Sequence, residues 1–158
     1  MKKILMLLLF IAVYSGAIKA QENTSKIDSL ATELTQLKHD YNYLYCLNEL
    51  GELDASLRIY AHGLDINSNS VLLNKKYDRK LYAALKNNYR SSEYLLEQLK
   101  KSVSVSKLSI AVKLNNTDFT DDEIKILKGK LEMIDACLEK AEGSLDYYKI
   151  VIDTYRDL

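Results

Sequence analysis

The stretch "TDDEIKILKGKLEMIDACLEKAEGSLDYYKIVIDTY", Thr120 to Tyr155, decides the fold class. Its apolar side chains fall at Ile124, Leu127, Leu131, Ile134, Leu138, Ala141, Leu145, Tyr148, Ile152 and Tyr155, alternating by three and four. That spacing keeps one narrow stripe on a single face of an α-helix and matches no strand period. Thr120 and Glu123 fit a capping box, with Phe119 and Ile124 placed as its hydrophobic staple, so the helix has a written beginning. Gly129 and Gly143 fall off the stripe, where they lower helix propensity without interrupting it.

Working back from there, Tyr82, Tyr89, Leu96, Val103 and Ile110 repeat every seven residues, with Leu85 and Leu99 at complementary positions. A second helix over about residues 71–114 is the simplest account. Within it "KSVSVSKLSIAVKL", Lys101 to Leu114, also alternates with strand period, but no partner strand is visible elsewhere and a lone strand leaves its edges unpaired. The first segment carries Ile27, Leu30, Leu34, Leu37, Tyr41 and Leu44 in one register, then Cys46, Leu50, Leu53, Leu57, Tyr60 and Leu64 in another. The change of phase falls inside "YNYLYC", Tyr41 to Cys46, and fits a broad face, a local change of supercoil or a break near Gly51. "LDINSNS", Leu64 to Ser70, reads as a polar stop, which limits the first helix to about residues 24–65.

The 158-residue chain contains no proline and only five glycines, and is rich in leucine, lysine and glutamate, a helix-forming composition. Three helices, over about 24–65, 71–114 and 121–156, are each roughly 55–65 Å long at the standard rise. Short links make neighbours antiparallel, so the expected fold is all-α: an elongated up-down-up three-helix bundle with coiled-coil-like seams. The alternative is a set of tetratricopeptide-like helical hairpins. Tyr41 to Ser70 resembles one such repeat in its apolar first helix, Gly51 at a tight turn, and Tyr60 and Leu64 on a second helix, although Ser56 and Gly63 depart from the usual alanines and no proline closes the unit. That resemblance implies a superhelix with a turn at Gly51.

Lys2 and Lys3, the apolar run "ILMLLLFIAVY" and a small residue at Ala20 compose a signal peptide over residues 1–20. The run is too short to span a bilayer comfortably, and polar residues follow it, so no stable membrane span is expected after processing. Residues 21–158 are then a single helical domain, exported to the periplasm or secreted. Removing Lys2, Lys3 and Lys19 leaves 19 of the 22 basic residues against 22 acidic ones, a formal charge of −3. This balance lacks the basic footprint of a nucleic-acid binder and offers anionic lipid nothing to hold.

Chemistry is hard to place on this chain. His39 and Cys46 lie seven residues apart, roughly 10 Å along a helix and too far to share one ion, and His62 follows Arg58 by four residues, so no metal is expected. Asp118, Asp121, Asp122 and Glu123 gather at a helix start, where the helix dipole and capping account for negative charge. No nucleotide-binding, hydrolase or metalloprotease motif is present, so neither a catalytic residue nor a cofactor is assigned. Cys46 and Cys137 form a candidate disulfide in an exported protein. Counting along three helices places them 6–10 residues out of level, however, so they pair only if residues 101–116 are not helical and otherwise pack as small hydrophobes.

Eleven of the twelve tyrosines follow residue 20. Tyr43, Tyr45, Tyr94 and Tyr147 are the candidates for an exposed interaction surface, since aromatic side chains are frequent binding anchors. The expected function is therefore that of an exported helical scaffold or protein-interaction module, without chemistry of its own. Its partner would be another envelope or secreted protein, or a second copy. The alternatives are a small-ligand-binding helical protein using a tyrosine-lined surface, and an enzyme whose site forms no motif. Amino-terminal sequencing of protein recovered outside the cytoplasm is expected to begin at Gln21; a membrane-held chain that retains residues 1–20 refutes cleavage there.

Overall fold

The computed structural model describes the backbone of residues 2–74 and 76–158, and the side chains of residues 23–74 and 76–158. Residues 1–20, the segment expected from the sequence to be a signal peptide, lie outside the described side chains. Among the described residues three helices account for nearly all positions: α1 (Lys2–Leu72), α2 (Arg79–Asn116) and α3 (Asp121–Arg156). No strand occurs among the described residues. The chain divides into two compact units, Met1–Tyr41 and Asn42–Leu158, and α1 runs without interruption through the boundary.

The second unit is an up-down-up three-helix bundle, and the side-chain bonds between helices give the directions. Tyr60 Oη of α1 donates to the Ser92 carbonyl of α2 at 2.9 Å, and Lys113 Nζ, later in α2, donates to Asn42 Oδ1, earlier in α1, at 2.9 Å. Between α2 and α3, Asn88 meets Tyr148, Lys100 meets Glu142 and Lys107 meets Asp135, so residue numbers again run in opposite senses. Helices α1 and α3 run in the same sense: Tyr43 lies beside Phe119, Asp54 beside Cys137, and Tyr155 beside the turn after α1.

The core is made from the stripes seen in the sequence. Cys46, Leu50, Leu53, Leu57, Tyr60, Ala61, Leu64 and Val71 of α1 are buried, together with Leu96, Val103 and Ile110 of α2. On α3, Leu127, Ile134, Ala141, Leu145, Tyr148, Ile152 and Tyr155 are buried, while Ile124, Leu131 and Leu138 pack partly against them. The hydrophobic effect holds these three faces together, a fully buried leucine or isoleucine being worth roughly 1.5–3 kcal/mol relative to exposure.

Both links are capped. Asp78 Oδ1 accepts the first free amides of α2, from Lys80 at 2.7 Å and Leu81 at 2.9 Å. The capping box of α3 is complete: Glu123 N donates to Thr120 Oγ1 at 3.3 Å and Thr120 N donates to Glu123 Oε2 at 2.9 Å. Phe119 is buried in front of it, with its ring centroid 6.2 Å from that of Tyr43. At the opposite end, the buried phenol of Tyr155 accepts from Asp78 N at 2.9 Å and donates to the Lys76 carbonyl at 3.0 Å. The end of α3 is thereby tied to the link between α1 and α2.

Three sequence expectations resolve here. Residues 101–116 are helical, since Val103, Ser106 and Ile110 occupy the buried face at helical spacing while Val105, Leu108 and Val112 face outward. The polar stop at Leu64–Ser70 does not occur. Leu64, Ser68 and Val71 are all buried and continue the stripe by fours and threes, so packing carries α1 through the polar residues to Leu72. The tetratricopeptide-like turn at Gly51 is also absent: Gly51 is an exposed interior residue of α1, and no glycine among the described residues has positive φ. The stripe passes Gly51 intact from Leu50 to Leu53, which removes the reason for a turn.

A methyl group added at Gly51 meets nothing within 4 Å. Gly51→Ala is therefore expected to stabilise the bundle by up to about 1 kcal/mol, through helix propensity and a less flexible unfolded chain. A loss of stability in denaturant unfolding would contradict an uninterrupted helix at this position.

Candidate interaction surface

The tyrosines singled out by sequence do not form one surface. Tyr43 is half-buried against the core and faces Phe119. Tyr45 is more open, with Lys113 Nζ 4.5 Å from its ring centroid, a cation–π contact across α1 and α2. Tyr94, on α2, and Tyr147, on α3, are both exposed. Tyr94 lies two residues beyond Ser92, which Tyr60 reaches, and Tyr60 is fifteen residues or roughly 22 Å along α1 from Tyr45. The four candidates thus separate into a pair near the α2–α3 link and two positions well down the bundle.

Buried tyrosines hold the bundle instead. Tyr60 and Tyr148 sit in the core and place their hydroxyls at its polar edge, on the Ser92 carbonyl and on Asn88. Burial first, then the neighbouring Tyr89 and Glu93, pushes the Tyr60 phenol up to about 12. Burial likewise raises Tyr148, so both remain neutral packing groups.

The two cysteines are free thiols in different settings. Cys46 is fully buried, and desolvation pushes its thiol up. Cys137 is half-buried and donates to Asp54 Oδ1 at 3.1 Å; burial and that bond push it up too. Asp54 is in turn held below the ordinary carboxylate range, first by the thiol's bond, with Arg58 adding a contact at 2.7 Å. Asp54 lies eight residues beyond Cys46, about 12 Å along α1. The cysteines are thus out of level in the opposite sense to the one counted from the sequence, because α1 continues to Leu72 instead of stopping near residue 65. The candidate disulfide is therefore not formed, because the helix lengths, with α1 reaching Leu72, set the two cysteines at different heights.

The bundle also carries a cleft of about 420 Å³ lined by Tyr45, Glu49, Glu52, Leu53, Leu99 and Ser106, among others. Glu49 Oε2 is buried there without a hydrogen-bond partner. Tyr45 is the one candidate tyrosine that lines it. A smaller cleft, about 320 Å³, is bordered by Lys86, Tyr89, Arg90, Glu93, Lys149 and Asp153, a mixture of charges without a common sign. Among the described residues no group of three or more histidine, cysteine or carboxylate side chains is arranged to hold a metal ion, and no helix is long and apolar enough to cross a membrane.

The feature that stands out is on α1 before the bundle. Ile27, Leu30, Leu34, Leu37 and Tyr41 are between 63 % and 68 % exposed, although they keep the same three-four spacing as the buried stripes. The polar positions between them make their own local bonds: Thr32 Oγ1 donates to the Asp28 carbonyl, Thr35 Oγ1 to the Ala31 carbonyl, and Gln36 Nε2 to Asp40 Oδ1 at 2.7 Å. Sequence periodicity found this row but assigned it to the core of the bundle; exposure was the missing information. No family model matches the chain, and no curated protein or solved structure is detectably similar to it.

The thiol settings make a direct prediction. Without reductant, a thiol reagent is expected to modify Cys137 slowly and Cys46 only after unfolding, giving two labels on the denatured chain by intact mass. Absence of any label on the unfolded, unreduced chain would establish a disulfide.

Proposed function

We propose that this protein is an exported helical protein-interaction module, a scaffold whose bundle holds a binding helix rather than a reaction centre. The observation that carries this is the regular apolar row Ile27–Tyr41, presented to solvent by a helix that needs none of it for its own bundle core. A row of large side chains left in water costs solubility and is a recognised mark of a protein-binding face. The amphipathic-helix mode of recognition, in which anchors at threes and fours enter a partner's apolar groove or seam, fits the spacing. Export follows from the amino-terminal charge, apolar run and Ala20. The partner is then an envelope or secreted protein, or another copy of the chain.

A small ligand on a tyrosine-lined surface is less well supported, since the exposed tyrosines lie at separate levels and one alone borders the larger cleft.

Amine-reactive crosslinking in producing cells, followed by mass spectrometry, is expected to join Lys38 or its neighbours to another polypeptide. Leu34→Glu is expected to abolish those crosslinks with no change in the unfolding temperature of the bundle. A chain that forms no crosslink from residues 23–45 and stays monomeric at every concentration is not an interaction module.

A further inference from the structure

The row Ile27, Leu30, Leu34, Leu37 and Tyr41 is narrow, and its width limits what can cover it. Written as a heptad, Ile27, Leu34 and Tyr41 occupy position a, while Leu30 and Leu37 occupy d. Positions b, c and f hold Asp28, Ser29, Thr32, Thr35, Gln36 and His39, all polar. A globular helix that docks into a broad groove ordinarily shows a third apolar position in each heptad. A stripe of large side chains confined to a and d, with only the small Ala31 beside it at e, is instead the seam of a coiled coil.

The flanking charges then choose the partner and its direction. Glu33 is at g and Lys38 at the following e, five residues on. In a parallel, in-register pair, a g side chain reaches the next e of the other helix, so Glu33 of each copy meets Lys38 of the other, twice by symmetry. Reversing one helix so that Leu34 faces Leu37 changes this. Positions g then lie beside one another, and Glu33 is brought next to Asp40 of the second copy, twice, with like charge.

We infer that the row is covered by a second copy of this chain, as a parallel in-register coiled coil centred on residues 27–41. This rests on the interaction-module function proposed above and names the partner. The contact spans about two heptads, so the complex belongs with modest, concentration-dependent associations rather than with obligate dimers.

The test uses the exported chain in sedimentation equilibrium across a wide concentration range, with substitutions at the charged pair. The wild type is expected to pass from monomer to dimer. Glu33→Lys places like charges across the seam and is expected to weaken the dimer by about tenfold, a change of roughly 1.4 kcal/mol. The double variant Glu33→Lys, Lys38→Glu is expected to recover it to within about threefold, as a salt-dependent pair should. Under mild oxidation, Leu30→Cys is expected to give a crosslink between residue 30 of one copy and residue 30 of the other, mapped by peptide mass. A monomer at all concentrations overturns the proposal, as does a crosslink from residue 30 to any other position or a double variant no tighter than the single one. If the chain stays monomeric while Lys38 still crosslinks to a different protein in cells, self-association fails and the interaction-module function stands. If neither association is found, both fall.

Discussion

Burial of one face of α1, from Cys46 to Val71, against α2 and α3 is the interaction on which the rest of the bundle depends. The chain has no proline-fixed turns, no disulfide between its two cysteines and no metal cluster among the described residues. An amphipathic helix alone in water is marginal even at good propensity, so three apolar stripes have to meet or none of the helices is secure. The caps and polar bonds refine that packing. Asp78 and the Thr120–Glu123 box begin two helices at defined residues, and Tyr155 ties the end of the third to the first link. Buried tyrosines add hydroxyl contacts at the core's edge, where a phenylalanine would leave a carbonyl or an amide without its partner.

The same constraint explains why the apolar row before the bundle is exposed. The register of α1 changes by two residues between Tyr41–Leu44 and Tyr43–Cys46, which is about 200° around a helix of 3.6 residues per turn. Leu44 therefore points away from the side on which Cys46 is buried, and it is 63 % exposed. One continuous helix thus carries two apolar faces in succession, and only the later one serves the bundle. Such a face is suited to association with a partner's apolar surface.

Polar groups inside the bundle show how far packing outweighs local preference. Ser68 lies in a stretch whose residues favour turns and caps, yet it is fully buried within α1 and its hydroxyl has no hydrogen-bond partner. The neighbouring Leu64 and Val71 supply enough buried apolar surface to hold the helix through it. Lys100 bridges Glu97 and Glu142 at 3.3 and 2.8 Å, on an open surface where such pairs contribute little. The helix ends lie where the buried stripes end, and the polar residues between adjust to them.

By itself the sequence determined that the chain is all-helical and that α3 runs from Thr120 as one uninterrupted stripe, because the three-four spacing is a local property of the helix. The levels of Cys46 and Cys137 were not legible, since converting residue counts into heights needs the true end of α1, and its extension to Leu72 reverses the sense of the mismatch. Where α1 ends was not legible, because the polar residues at Leu64–Ser70 carry a turn signal that only the burial of Ser68 and Val71 overrides. Nor could periodicity tell an inward stripe from an outward one. Ile27–Tyr41 and Cys46–Leu64 have equal claims to a core until two other helices occupy one side of α1, and a residue's solvent exposure belongs to its neighbours in space rather than to its neighbours in sequence.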